Sequence, residues 1–183
     1  MATEKGRVGT LQYLGLGCLN PQELVRGFVR DAPAPSVLHQ EAVFQFTLAL
    51  RTHVRELDLG TVVSAPVDVI LDEEEGLVMQ PDVVYVAHER ETIVGDCIWG
   101  PPDLVIDILS PRPRIGSYAE RVEWFARYSV GECWVFRQYD RELDVLTLQG
   151  GRITDRRTFA GWEPIRSAVL PFWTQSVSHV LQL

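Results

Sequence analysis

The sequence has almost no lysine. Sixteen of its 17 basic residues are arginine, and Lys5 is the one lysine. A mechanism that needs a titratable lysine inside the fold is therefore close to excluded. A basic surplus is missing as well, because 25 acidic residues give a formal net charge of −8. Such a charge argues against nonspecific, phosphate-driven binding of nucleic acid. It leaves room for a nuclease, because a metal site supplies its own positive charge.

Cysteine and long apolar runs are also scarce. Cys18, Cys97 and Cys133 are widely spaced and form no Cys-x-x-Cys pair, which favours reduced thiols over a zinc site or a disulfide framework. No apolar run reaches about 18 residues, and the first residues lack the apolar core of a signal peptide. We therefore expect a soluble, cytoplasmic protein that does not enter the membrane.

The apolar pattern predicts one α+β (mixed α/β) domain over residues 1–183, with a central mixed sheet flanked by helices. Apolar residues three or four apart predict a helix over residues 37–58, and a Ser-x-x-Glu capping box starts another over 117–128. The segment 23–30 fits a hairpin around Gly27 or a short helix, and both remain open. Residues 1–10 are expected to form a loose leader, 11–148 the core, and 149–183 a C-terminal hairpin and tail. Strands are predicted over residues 62–64, 67–71, 77–86, 104–109, 132–139 and 143–148, with a loop over 87–102.

Two aspartates stand in apolar surroundings. Asp107 interrupts the run 104–109, which is predicted to be buried on both faces, and Asp82 follows Pro81 at the start of another apolar segment. An ionised carboxylate there costs several kcal/mol unless it is paired or bound to a metal. Each aspartate could instead cap a turn or pair with an arginine. Two carboxylates on adjacent strands can hold Mg²⁺, and such an ion supports hydrolysis of a phosphodiester.

Four ordered blocks resemble a known family. They are Pro81-Asp82, residues 103–111, residues 125–130 and residues 132–135, preceded by the segment 23–27 and His39. Together they resemble the Uma-type putative restriction endonuclease family of the PD-(D/E)XK nuclease superfamily, over roughly residues 11–148. The resemblance implies a restriction-endonuclease-like core, a DNA substrate, a homodimer and a Mg²⁺ ion for which Mn²⁺ can substitute.

The resemblance also implies the site residues. Asp82 and Asp107 would bind the metal, with the backbone carbonyl of Ile108 as a further ligand. The family's lysine, preceded by an aspartate four residues earlier, falls on the helix after this strand, where this sequence has Arg121 and Ser117. Asp107 is one methylene shorter than the family's usual glutamate. Arg121 can clamp a phosphate, but a guanidinium stays protonated in proteins and cannot act as a base.

Two further residues are secondary candidates, as is Ser117. His39 lies on the buried stripe of the first predicted helix and is either a hydrogen-bonded core histidine or a group that binds phosphate or metal. Asp68 is either a carboxylate that supports the site or part of an exposed strand face. The sequence thus leaves three functions open: a metal-dependent endonuclease that cleaves DNA, a nuclease fold kept as a binding or interaction module with degraded catalysis, and a purely structural homo-oligomer.

Overall fold

The computed structural model describes residues 6–16, 22–109 and 117–182. Lys5, Cys18 and the end of the block 103–111 lie outside these ranges. The helices are α1 (Thr10–Leu14), α2 (Val37–Glu56), α3 (Tyr118–Arg127) and α4 (Val177–Val180). The strands are β1 (Gln22–Val25), β2 (Phe28–Asp31), β3 (Gly60–Ser64), β4 (Val69–Asp72), β5 (Leu77–Met79), β6 (Val83–Ala87), β7 (Ile98–Trp99), β8 (Leu104–Leu109), β9 (Glu132–Arg137), β10 (Glu142–Gln149) and β11 (Arg152–Ala160).

The strands form two mixed sheets. One has five strands in the order β2-β1-β5-β4-β7, and the other has six in the order β11-β10-β9-β8-β6-β3. The β4–β7 and β8–β9 pairs are parallel, and the other pairs are antiparallel. The predicted α+β domain with a mixed sheet flanked by helices is confirmed. The second sheet was not predicted.

The two long helices cover opposite faces of the six-stranded sheet. The apolar stripe of α2 shares one hydrophobic cluster with Leu104, Ile106 and Ile108 of β8. The apolar face of α3 shares a second cluster with Val105, the alternate residue on the same strand. Because side chains alternate along a strand, Asp107 falls on the α3 side of the sheet. The prediction that this run is buried on both faces is therefore confirmed.

Serine side chains cap both long helices at their first turn. The Oγ atom of Ser36 accepts a hydrogen bond from the His39 amide at 3.2 Å, and the Oγ atom of Ser117 accepts one from the Glu120 amide at 3.2 Å. Each cap satisfies an amide that has no partner inside the helix. The two predicted helices are confirmed, with α2 ending at Glu56 rather than at residue 58. No helix within the described ranges has both the length and the apolar character needed to cross a membrane.

The segment 23–30, which the sequence allowed to be either a hairpin or a short helix, is a hairpin. Val25 pairs with Phe28, and Arg26 and Gly27 between them have φ angles of 52° and 81°. Positive φ at both central residues is the geometry of a type I′ turn, which joins antiparallel strands and which glycine adopts without strain. The hairpin brings Glu23 into the five-stranded sheet.

Two predictions about the middle of the chain are wrong. The run 77–86 is two strands rather than one, because β5 belongs to the five-stranded sheet and β6 to the six-stranded sheet. Between them stands Pro81, which has no N–H to donate to a ladder. The predicted loop 87–102 contains a 3₁₀ helix (His88–Ile93) and β7. The break at Pro81 places Asp82 where the chain crosses from one sheet to the other.

Candidate active site

Asp82 and Asp107 lie at the same point of the six-stranded sheet. The β6–β8 ladder ends with Val83 opposite Ile106, and Asp82 and Asp107 are the next residues beyond that pair on the two segments. The Asp82 side chain also accepts a hydrogen bond from the amide of Ile108, the residue after Asp107. Both aspartates are buried, with 1 % and 7 % of their surface exposed. The two carboxylates predicted from the sequence are therefore brought together.

Asp82 is held by the backbone and by α2. Its Oδ2 atom accepts a hydrogen bond from the Ile108 amide at 2.7 Å and lies 3.2 Å from Nε2 of His39. His39 is completely buried, and the 3.2 Å approach is not aligned as a hydrogen bond, so neither ring nitrogen has a hydrogen-bond partner in the described part of the chain. His39 is therefore packed against the carboxylate, and Ile108 is seen to contribute its N–H group.

Arg121 binds two carboxylates at once. Its Nε and Nη2 atoms donate to Oδ2 and Oδ1 of Asp107 at 2.7 and 3.1 Å, and its Nη1 atom donates to both carboxylate oxygens of Glu23 at 2.7 and 2.8 Å. Burial lowers the pKa of Arg121, but the charges of Asp107 and Glu23 more than offset this and hold its pKa well above the ordinary value. A guanidinium with this fork geometry matches two carboxylates better than an ammonium would. Arg121 thus joins α3 to both sheets.

Glu23 is the site residue that the sequence reasoning missed. Only 3 % of it is exposed, and its Oε1 atom also accepts a hydrogen bond from the Gln80 amide at 2.9 Å. The Gln80 side chain in turn donates to Oδ1 of Asp68 at 2.9 Å. A charged residue next to the apolar pair Leu24-Val25 was the available signal. It was hidden because the segment fitted a helix as well as a hairpin.

A pocket of about 80 Å³ opens beside these residues. The polar part of its lining comes from Gln22, Glu23, Gln40, Gln80, Asp82 and Arg121, and the rest is alanine, valine and proline. Asp107 is absent from the lining. The pocket therefore contacts Asp82, Glu23 and Arg121, and Asp107 is reached from it only by way of its contact with Arg121 in the described site.

The charged side chains of the site are of the type that binds a divalent cation. Glu23, Asp82 and Asp107 are all buried, and the Arg121 guanidinium pairs with two of them, Glu23 and Asp107. Buried carboxylates are costly unless a cation or hydrogen-bond donors join them. Within residues 6–16, 22–109 and 117–182, no three His, Cys, Asp or Glu side chains converge as a metal cage. The fit is that of an open site with one or two carboxylates and water ligands, which is how Mg²⁺ is commonly held.

The secondary candidates differ in their relation to this centre. Asp68 is half-buried and is linked to it through Gln80, and it also accepts a hydrogen bond from the Tyr13 hydroxyl at 3.3 Å. Ser117 is exposed and caps α3 one turn before Arg121. The structure thus brings together Asp82, Asp107, Arg121 and His39, adds Glu23 and Gln80, and gives Ser117 a capping contact.

Comparison with known proteins places this geometry in context. The family Uma2, described as "Putative restriction endonuclease", matches residues 19–178. A solved structure described as a putative nuclease belonging to DUF820 from Anabaena variabilis ATCC 29413 superimposes with a TM-score of 0.74. The two sequences are 13 % identical, and the alignment covers 96 % of this chain and 98 % of that chain. At that identity the likeness shows the fold alone. No curated protein matches the sequence.

Proposed function

The chain belongs to the Uma2 family, and on that premise we propose that it is a metal-dependent nuclease that hydrolyses phosphodiester bonds of DNA. The family and the solved neighbour support a nuclease-like function. The observation that carries the finer proposal is the pair of buried aspartates beside the last pair of the β6–β8 ladder, where Asp82 directly precedes β6 and Asp107 lies within β8.

The proposed metal ligands are Asp82 and Asp107, with the carbonyl of Ile108 as a third protein ligand. A bound Mg²⁺, or Mn²⁺ in its place, would lower the pKa of a water molecule and neutralise charge on the scissile phosphate. The other residues position these carboxylates. The Ile108 amide donates to Oδ2 of Asp82, His39 packs against the same atom, and the Arg121 fork holds Asp107 in one orientation.

Arg121 limits how a proton can leave the attacking water. The described site contains no lysine, and a guanidinium does not accept a proton at physiological pH. Arg121 can stabilise negative charge on a phosphate, but the proton must pass to a carboxylate oxygen or to solvent. The rate is therefore expected to depend on the cation far more than on a side-chain base.

Cleavage of supercoiled plasmid DNA tests the proposal. Replacing a residue that hydrogen-bonds to a metal ligand commonly lowers metal affinity or activity by about 10- to 100-fold. Asp82→Asn changes a proposed ligand itself, so it is expected to lower the nicking rate by about 100-fold or more. Asp96→Asn is the matched control, because Asp96 is exposed on a loop. The wild type is expected to be active in Mg²⁺ or Mn²⁺ and inactive in EDTA. Nicking that survives both Asp82→Asn and EDTA, or no nicking by the wild type, would exclude the proposed activity.

The proposal also includes an oligomeric state. We propose a homodimer, because cutting both strands of a duplex uses two sites, and light scattering of the purified protein measures its mass directly.

A second candidate function is a nuclease fold that binds DNA without cutting it. The satisfied Arg121 fork favours it, since a protein group already neutralises Asp107. Fluorescence anisotropy that shows DNA binding without any nicking would select this candidate.

A further inference from the structure

We propose that Arg121 competes with the divalent cation for Asp107, and that Glu23 sets the balance by keeping the guanidinium when Asp107 releases it. This inference concerns regulation of the proposed metal site and rests on that site. In this proposal Arg121 is an internal cation that an incoming metal ion must displace from Asp107. Glu23 is a positioning residue, because it holds the displaced guanidinium.

The first step is the occupancy of Asp107. Arg121 donates from two different nitrogens to the two oxygens of this carboxylate, at 2.7 and 3.1 Å. This is the bidentate arrangement in which fork and carboxylate lie edge to edge. A metal ion that bridges the same two oxygens needs the same edge. The guanidinium and such an ion therefore exclude each other at Asp107.

The second step is the direction of approach. The pocket beside the site is lined by Asp82, Glu23 and Arg121 but not by Asp107. A cation that enters from this pocket would meet Asp82 first, while the guanidinium holds both oxygens of Asp107. Ligation by both aspartates through those oxygens would therefore require Arg121 to shift.

The third step is the second partner. Nη1 of Arg121 donates to both oxygens of Glu23, and Glu23 is itself fixed by the Gln80 amide at 2.9 Å. A guanidinium that leaves Asp107 therefore keeps a buried charged partner, so it is not stranded as an isolated ion.

Calorimetric titration of the metal-free protein with Mn²⁺ tests the proposal without using activity. Arg121→Lys keeps the charge but replaces the fork with a point charge that cannot bind both carboxylates in the same way. It is expected to bind Mn²⁺ at least about tenfold more tightly than the wild type, a step of about 1.4 kcal/mol. Glu23→Gln removes the charged second partner and is expected to bind Mn²⁺ about tenfold more weakly. The matched controls are Arg127→Lys and Glu120→Gln, which change exposed or half-exposed residues of α3.

The outcomes separate this proposal from the nuclease proposal. Equal Mn²⁺ affinity in the wild type and Arg121→Lys, weaker affinity in Arg121→Lys, or no binding by either protein overturns the competition. Unchanged affinity in Glu23→Gln overturns the role of Glu23. Circular dichroism of each variant shows that its fold is retained. If Arg121→Lys gains Mn²⁺ affinity while no protein nicks DNA in an Asp82-dependent way, the competition stands and the nuclease activity does not.

Discussion

Replacement of Arg121 by methionine is the sharpest test of how the two sheets are held together. The change keeps an unbranched side chain of similar length and removes the guanidinium. It leaves Glu23 and Asp107, which are 3 % and 7 % exposed, as neighbouring buried carboxylates without their shared cation. Removing one partner of a buried ion pair costs about 3–5 kcal/mol. Because Arg121 serves two carboxylates, we expect a loss near the upper end of that range.

A loss of about 5 kcal/mol is a large part of the 5–15 kcal/mol that stabilises a typical domain. For a chain of this size it corresponds to a fall in Tm of roughly 10–20 °C. The measurement is urea unfolding at pH 7 in EDTA, followed by tryptophan fluorescence, since Trp124 and Trp134 are buried in the two clusters that flank the sheet. EDTA prevents a metal ion from replacing the missing charge.

A double-mutant cycle separates the ion triad from simple loss of packing. Glu23→Gln and Arg121→Met touch the same contact, so their free-energy changes should not add, with a coupling of about 1–3 kcal/mol. Arg127→Met is the control on the same helix, and its loss should stay below about 1 kcal/mol because Arg127 is exposed and stacks only on Tyr128. A loss under about 1 kcal/mol for Arg121→Met, or strict additivity with Glu23→Gln, would refute the reasoning.

Two further predictions concern the rest of the fold. Burial raises the pKa of Asp144, but bonds from Thr158, Arg156 and Arg137 outweigh it and hold that pKa below 3.8. The stabilisation that ionised Asp144 contributes is therefore fully present above about pH 4 and is lost as the pH falls through the folded-state pKa. Asp144→Asn should lower the free energy of unfolding in urea at pH 7 and should make that free energy fall less steeply below about pH 4. A variant whose free energy of unfolding falls with acid as steeply as that of the wild type would contradict this. Ser117→Ala should cost about 1 kcal/mol through the lost cap of α3 while Ser117→Asp retains stability; a Ser117→Ala protein that is fully stable but no longer nicks DNA would instead give Ser117 a chemical role.

Local pattern was sufficient for the elements on either side of the site. The run of β8 is continuously apolar apart from Asp107, and that one exception marks both the strand and the site residue. Helix α3 begins at a capping box whose serine and glutamate can be identified without any tertiary information. The same holds for the first turn of α2, where Ser36 precedes the buried His39. These features depend on residues a few positions apart, which a single sequence displays.

Contacts between distant segments could not be obtained in that way. Glu23 and Arg121 are 98 residues apart, and their contact depends on which strand of the first sheet lies over the start of α3. Periodicity carries no information about that placement. The prediction of one strand over residues 77–86 failed for a related reason. The apolar residues of this run belong to two different sheets, and the side-chain alternation does not show the change of sheet at Pro81.

The choice of arginine at position 121 links the composition of the chain to the behaviour of its site. A lysine there would offer one point charge, whereas the guanidinium reaches a carboxylate on each sheet with separate nitrogens. The pKa of Arg121 is held well above its ordinary value by those same carboxylates, against the effect of burial, so a rise in pH does not release Asp107 from it while the protein is folded. A competing charge would do so under the proposal, either a cation at Asp107 or a phosphate at the guanidinium. The concentration of divalent ion, rather than protonation of a base, should therefore set how much of the protein holds Asp107 ready for chemistry.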